Sequence, residues 1–327
     1  MKQSFLIIVF TIVSILIIYI AYLERTTLKI LIFEDGIIQL QQGLDRYVKE
    51  TGFKCKPIVI RIDRSLEEIE KFLRDNQKTY AIGPRTSSQA LRLIPLLEKY
   101  QIFAIAPLVT SPEVLGKSNY LVSLSSSDDL QVRHIASLLL DFENIVVFTD
   151  FDNPVYCDTF YDILVKELPE KTILKVVVDK VENLSLPDEF DVVVFVTEGR
   201  KAGLIAQMIR SRNFEIPLFG SDYVYSDQLI QIGGKAVEGM IVYNLFDLER
   251  MLVRNFTSLH EAGSYDAALV IDSLVKQGVK PNLAGEYLKG KSFSGATGDF
   301  TISENLWAVR KSNFVTVQNG SFVPLKR

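Results

Sequence analysis

The sequence predicts an α/β fold of two lobes of similar size, preceded by one N-terminal transmembrane helix. Three observations predict it. An uncharged apolar run fills residues 5–23. Behind it, short apolar strands alternate with amphipathic helices, and that alternation begins a second time after about residue 144. The strands are continuous apolar runs, as expected where helices cover both faces of a parallel sheet.

The first run reads FLIIVFTIVSILIIYIAYL. Its roughly 19 residues are enough to cross a hydrocarbon core of about 30 Å as a helix. A cleavable signal peptide has a shorter apolar region and a small-x-small cleavage site. Here bulky residues stand where the small ones belong, and no cysteine follows for a lipid anchor. An uncleaved signal anchor over residues 1–26 is expected. Lys2 lies before the span, and Glu24, Arg25 and Lys29 lie after it. This weak charge bias places the N-terminus inside and the rest of the chain on the extracytoplasmic side.

After the anchor, residues 28–33 (LKILIF) read as a buried strand and residues 37–50 as a helix. Residues 57–62 form a strand. Residues 65–76 form a helix opened by Ser65, with Glu68 three residues on as a capping box. YAIG, a helix over 87–100 with an internal proline, and FAIAP complete the first βαβα run. The second run begins with the strand IVVFT at 145–149 and the helix 155–168. The strands ILKVVV and DVVVFV, the helix 202–212, and the strands IPLFG and GMIVYN follow. A helix over 264–278 comes next. Asn319-Gly320 between alternating segments marks a tight hairpin at the C-terminus. The join over residues 120–127 is short, as at a hinge.

Composition narrows the function. Net charge is −4, which gives no electrostatic footprint for nucleic acid. Cys55 and Cys157 have no metal-ligand spacing and form no disulfide framework, so both read as small buried hydrophobes. His134 and His260 lack the spacing of metal or catalytic motifs and read as ordinary surface or core residues. Residues 285–292, GEYLKGKS, match the pattern of a phosphate loop. Such a loop must follow a buried strand and open a helix, and the preceding VKPNLA is no strand. Gly290 reads instead as the end of a short helix. No cofactor, no metal and no enzymatic activity are expected.

Residues 80–114, YAIGPRTSSQALRLIPLLEKYQIFAIAPLVTSPEV, carry a resemblance. With Tyr156, PLFGSD (217–222), GGKAVEGM (233–240), SYDAALVI and FSGATGDFTISEN (293–305), they resemble the leucine/isoleucine/valine-binding family of ABC-transporter substrate-binding proteins. The resemblance implies a type I periplasmic binding fold, with two Rossmann-like lobes joined by a multi-strand hinge. It implies lobe 1 at residues 28–122 and 246–307, and lobe 2 at 123–245 and 308–327. It also implies an amino acid, or similar small polar ligand, captured in the cleft for an ABC importer and its permease. A membrane-tethered sensor or scaffold with a modified pocket is the alternative.

The residue chemistry fits such a ligand. Ser87 and Ser88 read as caps of a helix N-terminus, which favours a carboxylate. Thr110 and Asp222 offer a hydroxyl and a negative charge to an ammonium, and Tyr156 a ring and a phenol. Two departures bear on the pocket. The loop after the first strand is little more than Phe33-Glu34-Asp35-Gly36-Ile37. The loop after DVVVFV is Thr197-Glu198-Gly199-Arg200, with no aromatic residue.

The anchor is testable. Full-length protein is expected to stay in membranes after an alkaline carbonate wash; release of intact, N-terminally complete protein would overturn the anchor.

Overall fold

The computed structural model describes residues 27–36, 38–256 and 258–325. The expected transmembrane span lies outside them. Among the described residues no helix is long and apolar enough to cross a membrane.

Two large sheets, one wholly parallel and one mixed, organise the chain. The first contains β1 (Leu28–Glu34), β2 (Cys55–Arg61), β3 (Tyr80–Ile82), β4 (Phe103–Ala106) and β5 (Leu121–Ser123), in the order β2-β1-β3-β4-β5. All its pairings are parallel. The second is built on β6 (Asn144–Asp150), β7 (Thr172–Val178), β8 (Val192–Val196), β9 (Leu218–Gly220) and β10 (Ile241–Asn244). β14 (Asn313–Gln318) and β15 (Ser321–Pro324) extend its β10 edge antiparallel, giving the order β15-β14-β10-β9-β8-β6-β7. Three further strands, β11 (Ser292–Gly295), β12 (Gly298–Ile302) and β13 (Ala308–Arg310), form a small antiparallel sheet.

The apolar runs explain the layers. β8 is buried along its whole length, and β1 from Ile30 onward. Each such side chain removed from water contributes about 1.5–3 kcal/mol. Helix Gln39–Thr51 lies against helix Leu259–Lys276, far away in sequence. Gly43 permits that approach, since a Cβ there would sit 2.2 Å from the Glu261 carbonyl oxygen. The Ser65–Glu68 capping box is formed, and Pro95 lies inside helix Ser87–Tyr100 as the sequence predicts. At the C-terminal hairpin Asn319 and Gly320 have φ of 51° and 68°. Two successive left-handed residues are what a tight hairpin between right-twisted strands requires.

Two sequence expectations change. The join at residues 120–127 contains β5, a three-residue strand too short to show periodicity, which leads into helix Asp128–Ala136. Cys157 is buried, but Cys55 is only half-buried; both are free thiols.

The phosphate-loop pattern falls across helix Pro281–Leu288 and the start of β11. Gly285 is inside the helix, Gly290 ends the turn after it with φ +72°, and the Lys291 amide donates back to Leu288 O. This is a helix-to-strand join, the reverse of what a phosphate loop needs.

The chain passes between the large sheets at three places. It leaves β5 for helix Asp128–Ala136, leaves β10 for helix Leu248–Val253, and passes from β13 to β14. Ser123 also bridges Trp307, so two of these connections lie side by side. Arg310 joins them further by donating to Leu124 O at 2.9 Å.

Candidate functional site

In a parallel sheet every strand ends at the same edge, so the loops that follow the strands converge there. This brings together residues scattered through the sequence. Arg85, Thr86 and Ser87 follow β3, and Leu108 and Thr110 follow β4. From the second sheet, Asn153 and Tyr156 follow β6, while Asp222, Tyr223 and Tyr225 follow β9. With Leu259 and His260 they line one cavity of about 40 Å³. That space holds a few waters, since one water needs roughly 10–15 Å³.

Four of the five predicted site residues, Ser87, Thr110, Tyr156 and Asp222, border this cavity. Ser88 does not, and neither serine caps the helix. The N-cap is Thr86, whose hydroxyl accepts from Gln89 N at 3.3 Å, while Gln89 Oε1 accepts from Thr86 N at 3.2 Å. The correction is a shift of one residue. The run Thr-Ser-Ser offers three successive hydroxyl residues, and the glutamine three positions on selects the first. Ser87, now the first helical residue, is buried, and its Oγ accepts from Ser111 N at 3.3 Å.

Ser88 binds the opposite lobe instead. Its hydroxyl donates to Asn153 Oδ1 at 3.0 Å and its amide donates to the same oxygen at 3.2 Å. Val155 N donates back to Ser88 Oγ at 3.1 Å, and Ser111 Oγ lies 3.1 Å from Thr159 Oγ1. These contacts join the start of helix Ser87–Tyr100 to the start of helix Pro154–Glu167, so the cleft is closed.

Asp222 is buried rather than set in an open cleft. Its Oδ1 accepts from Tyr156 OH and from Gln131 Nε2, both at 2.8 Å, and its amide donates to Gln131 Oε1 at 2.8 Å. Gln131 Nε2 also donates to Asp128 Oδ1 at 3.2 Å. Asp128 is fully buried, its amide donates to Thr110 O at 3.0 Å, and its Oδ2 is without a partner among the described residues. Burial raises the pKa of Asp222, opposed by the hydrogen bonds of Tyr156 and Gln131. Burial and then the Asp222 carboxylate push Asp128 well above the usual range.

The opposite wall carries a cation. Arg85 Nη1 is 2.6 Å from Asp35 Oδ1, and Gln89 Nε2 donates to Asp35 Oδ2 at 2.8 Å. The short loop after β1 thus places Asp35 to tie down Arg85. Arg85 Nε is buried without a partner among the described residues. His260 is no ordinary surface or core residue: it borders the cavity. Burial, then the Arg85 charge, holds its pKa well below the usual value. Just past the loop without the aromatic, in helix Gly199–Arg212, Lys201 Nζ pairs with the buried Asp150 at 2.7 Å and with Asp152 at 3.0 Å.

Sequence reasoning missed Arg85, Asp128, Gln131, Asn153 and His260. Asp128 and Gln131 follow a serine at a helix start and carry the signature of an ordinary cap. Asn153 precedes Pro154, a helix-start signal, yet its side chain makes no cap bond and crosses the cleft. Among the described residues no cluster fit for a metal ion is found. Two larger grooves, of about 580 and 950 Å³, are half-open to solvent and hold none of these buried groups.

No known protein-family profile matches the sequence, and no curated protein matches it. Solved structures do. The leucine-binding protein LivK of Thermotoga maritima superposes with a TM-score of 0.78 at 19% identity, over 92% of this chain and 98% of that one. The branched-chain amino acid transporter substrate-binding protein LivJ of Streptococcus pneumoniae, in complex with isoleucine, gives 0.78 at 17%, over 91% and 98%. An ABC-transporter solute-binding protein of R. palustris, in complex with benzoate, gives 0.76 at 15%, over 91% and 95%. The chain therefore has the two-lobe fold of the type I periplasmic binding proteins.

Asn153→Ala removes the acceptor for two hydrogen bonds across the cleft, about 1–3 kcal/mol together. The closed-to-open equilibrium constant is expected to fall roughly 5–150-fold. Small-angle scattering would then show a larger radius of gyration; a profile identical to wild type would contradict the clasp.

Proposed function

We propose that this two-lobe chain is an extracytoplasmic solute-binding protein that captures an amino acid, or a similar small polar ligand with an ammonium group, between its lobes. The lobe division of this reading is residues 28–122 with 246–307 and residues 123–245 with 308–327. One observation carries the reading: polar groups from loops of both large sheets meet at a single cavity, with a buried carboxylate, Asp222, on its wall.

The chemistry of the wall sorts the ends of a zwitterion. Ser87 stands at the start of a helix, where the helix dipole favours a carboxylate. Thr110 and Asp222 line the same cavity, where an ammonium finds a hydroxyl and a counter-charge. The cavity of about 40 Å³ is far smaller than the roughly 300–1,000 Å³ of common ligand sites. Entry therefore requires the lobes to part, and a ligand that touches both then favours their closure.

The solute's destination is an ABC importer. A tethered sensor or scaffold of the same fold is the second reading, and one observation favours it. The lobes hold each other through hydrogen bonds of their own, made by Ser88, Asn153 and Val155. A partner permease copurifying with the chain separates transport from this alternative.

A thermal-shift screen of the full-length chain in detergent, with the amino acids and small aromatic acids, tests the reading. A saturable shift with an ammonium-bearing solute is expected. Asp222→Ala would leave that ammonium without its counter-charge, at a cost of about 2–5 kcal/mol in calorimetric titration. Ser87→Ala costs about 1.5–3 kcal/mol, because one charge-assisted bond is lost while backbone donors remain. Wild-type affinity in Asp222→Ala would show that the pocket does not read an ammonium.

A further inference from the structure

We propose that Asp128 and Asp222 act as one buried acid pair, which keeps a proton while no cation lies in the cleft and exchanges it for the ammonium of an arriving ligand. This deepens the solute-binding reading and rests on it: the pair would make capture proton-linked.

The geometry is that of a coupled pair. A single amide group, Gln131 Nε2, bridges the two carboxylates at 3.2 and 2.8 Å. Asp128 is completely buried and Asp222 is 7% exposed. Two carboxylates this close and this deeply desolvated do not both ionise without a cation. Arg85 and His260 border the same cavity as Asp222, but the Arg85 guanidinium is paired with Asp35 at 2.6 Å, and burial and then the Arg85 charge hold the His260 pKa well below its usual value. Asp129 lies on the helix of Asp128, Tyr156 on helix Pro154–Glu167, Tyr223 beside Asp222, and Tyr243 on β10. The segment bearing Thr110 contributes a hydroxyl. Arg133, on the helix of Asp128, is engaged with Glu167 at 3.2 Å, and its side chain is 63% exposed. His134 of that helix packs on the Tyr243 ring, 6.0 Å between centroids.

Asp128 Oδ2 is the further sign. It is a buried carboxylate oxygen with no donor among the described residues, an arrangement that is costly when charged and mild when protonated. Asp222 and Thr110 border the cavity, while Asp128 does not and is joined to Thr110 through its amide, which donates to Thr110 O at 3.0 Å. A ligand ammonium at Asp222 and Thr110 would therefore supply the missing positive charge. The exchange balances: one ammonium enters, one carboxyl O–H bond breaks, and one proton leaves to water. Charge in the site is unchanged.

The sign of the pH dependence follows. An unfolded aspartate releases its proton near pH 3.9, while the folded pair retains one above that value. The native state then binds more protons, so stability falls as pH rises from about 4 through the pair's titration. Asp128→Asn should melt above wild type at neutral and mildly alkaline pH, and the difference should vanish near pH 4.

Infrared spectroscopy of the wild-type full-length chain tests the proton directly, and needs no variant to fold. A protonated carboxyl stretch is expected at neutral pH and should be missing from Asp128→Asn. Methylammonium chloride, with sodium chloride as control, should abolish the band. It should bind roughly tenfold more tightly per pH unit gained while the pair is protonated, with about one proton released. Absence of the band at neutral pH overturns the proposal, and so does a band that methylammonium leaves in place. If an amino acid binds in an Asp222-dependent manner with no proton released, the solute-binding reading survives and the acid-pair proposal does not.

Discussion

The molecule depends on one constraint: parallel strands deliver all their following loops to a single edge. That edge collects the unpaired ends of backbone and polar side chains, and it cannot be covered by the sheet's own helices. Two such edges set face to face cover each other. In this chain the loops after β3 and β4 meet those after β6 and β9, and the polar groups they carry become buried. Burial then decides their chemistry. It lowers the pKa of His260, raises that of Asp222 and Asp128, and makes every hydrogen bond across the cleft count for more than it would in water.

The contents of the cleft differ between its two ends. At one end Asp128, Gln131, Tyr156 and Asp222 form an acidic group without a cation among the residues that act on it most strongly. At the other, Arg85 is balanced by Asp35, which the short loop after β1 brings within 2.6 Å. A longer loop there would displace Asp35 from that contact. A further ion pair, Lys201 with the buried Asp150, lies after β8 and β6. These features separate this pocket from a simple aliphatic one while leaving the architecture intact.

Much of the fold was legible because its signals are redundant. β1, β6 and β8 are continuous apolar runs, and the caps at Ser65 and the turn at Asn319-Gly320 mark element ends with local chemistry. β5 was not legible, since three residues cannot display a period and its place is fixed by β4 and Trp307. The site was half legible. Ser87, Thr110, Tyr156 and Asp222 follow strands, where the fold needs polar groups. Asn153 and Gln131 carry residue types common in any turn or helix start, and only their partners in space, Ser88 and the two aspartates, give them a role. The cap at Thr86 shows the scale of the remaining error: one residue decides whether a serine faces an amide of its own helix or the opposite lobe.

The central claim is that both lobes hold one small solute at Asp222. A crystal structure of the chain, grown with the solute that gives the largest thermal shift, tests it most directly. The account predicts the solute between the lobes, its ammonium within hydrogen-bond reach of Asp222 and Thr110 and its other end toward Ser87. A solute seated in either of the two open grooves, with the Tyr156–Asp222–Gln131 cluster untouched, would contradict it.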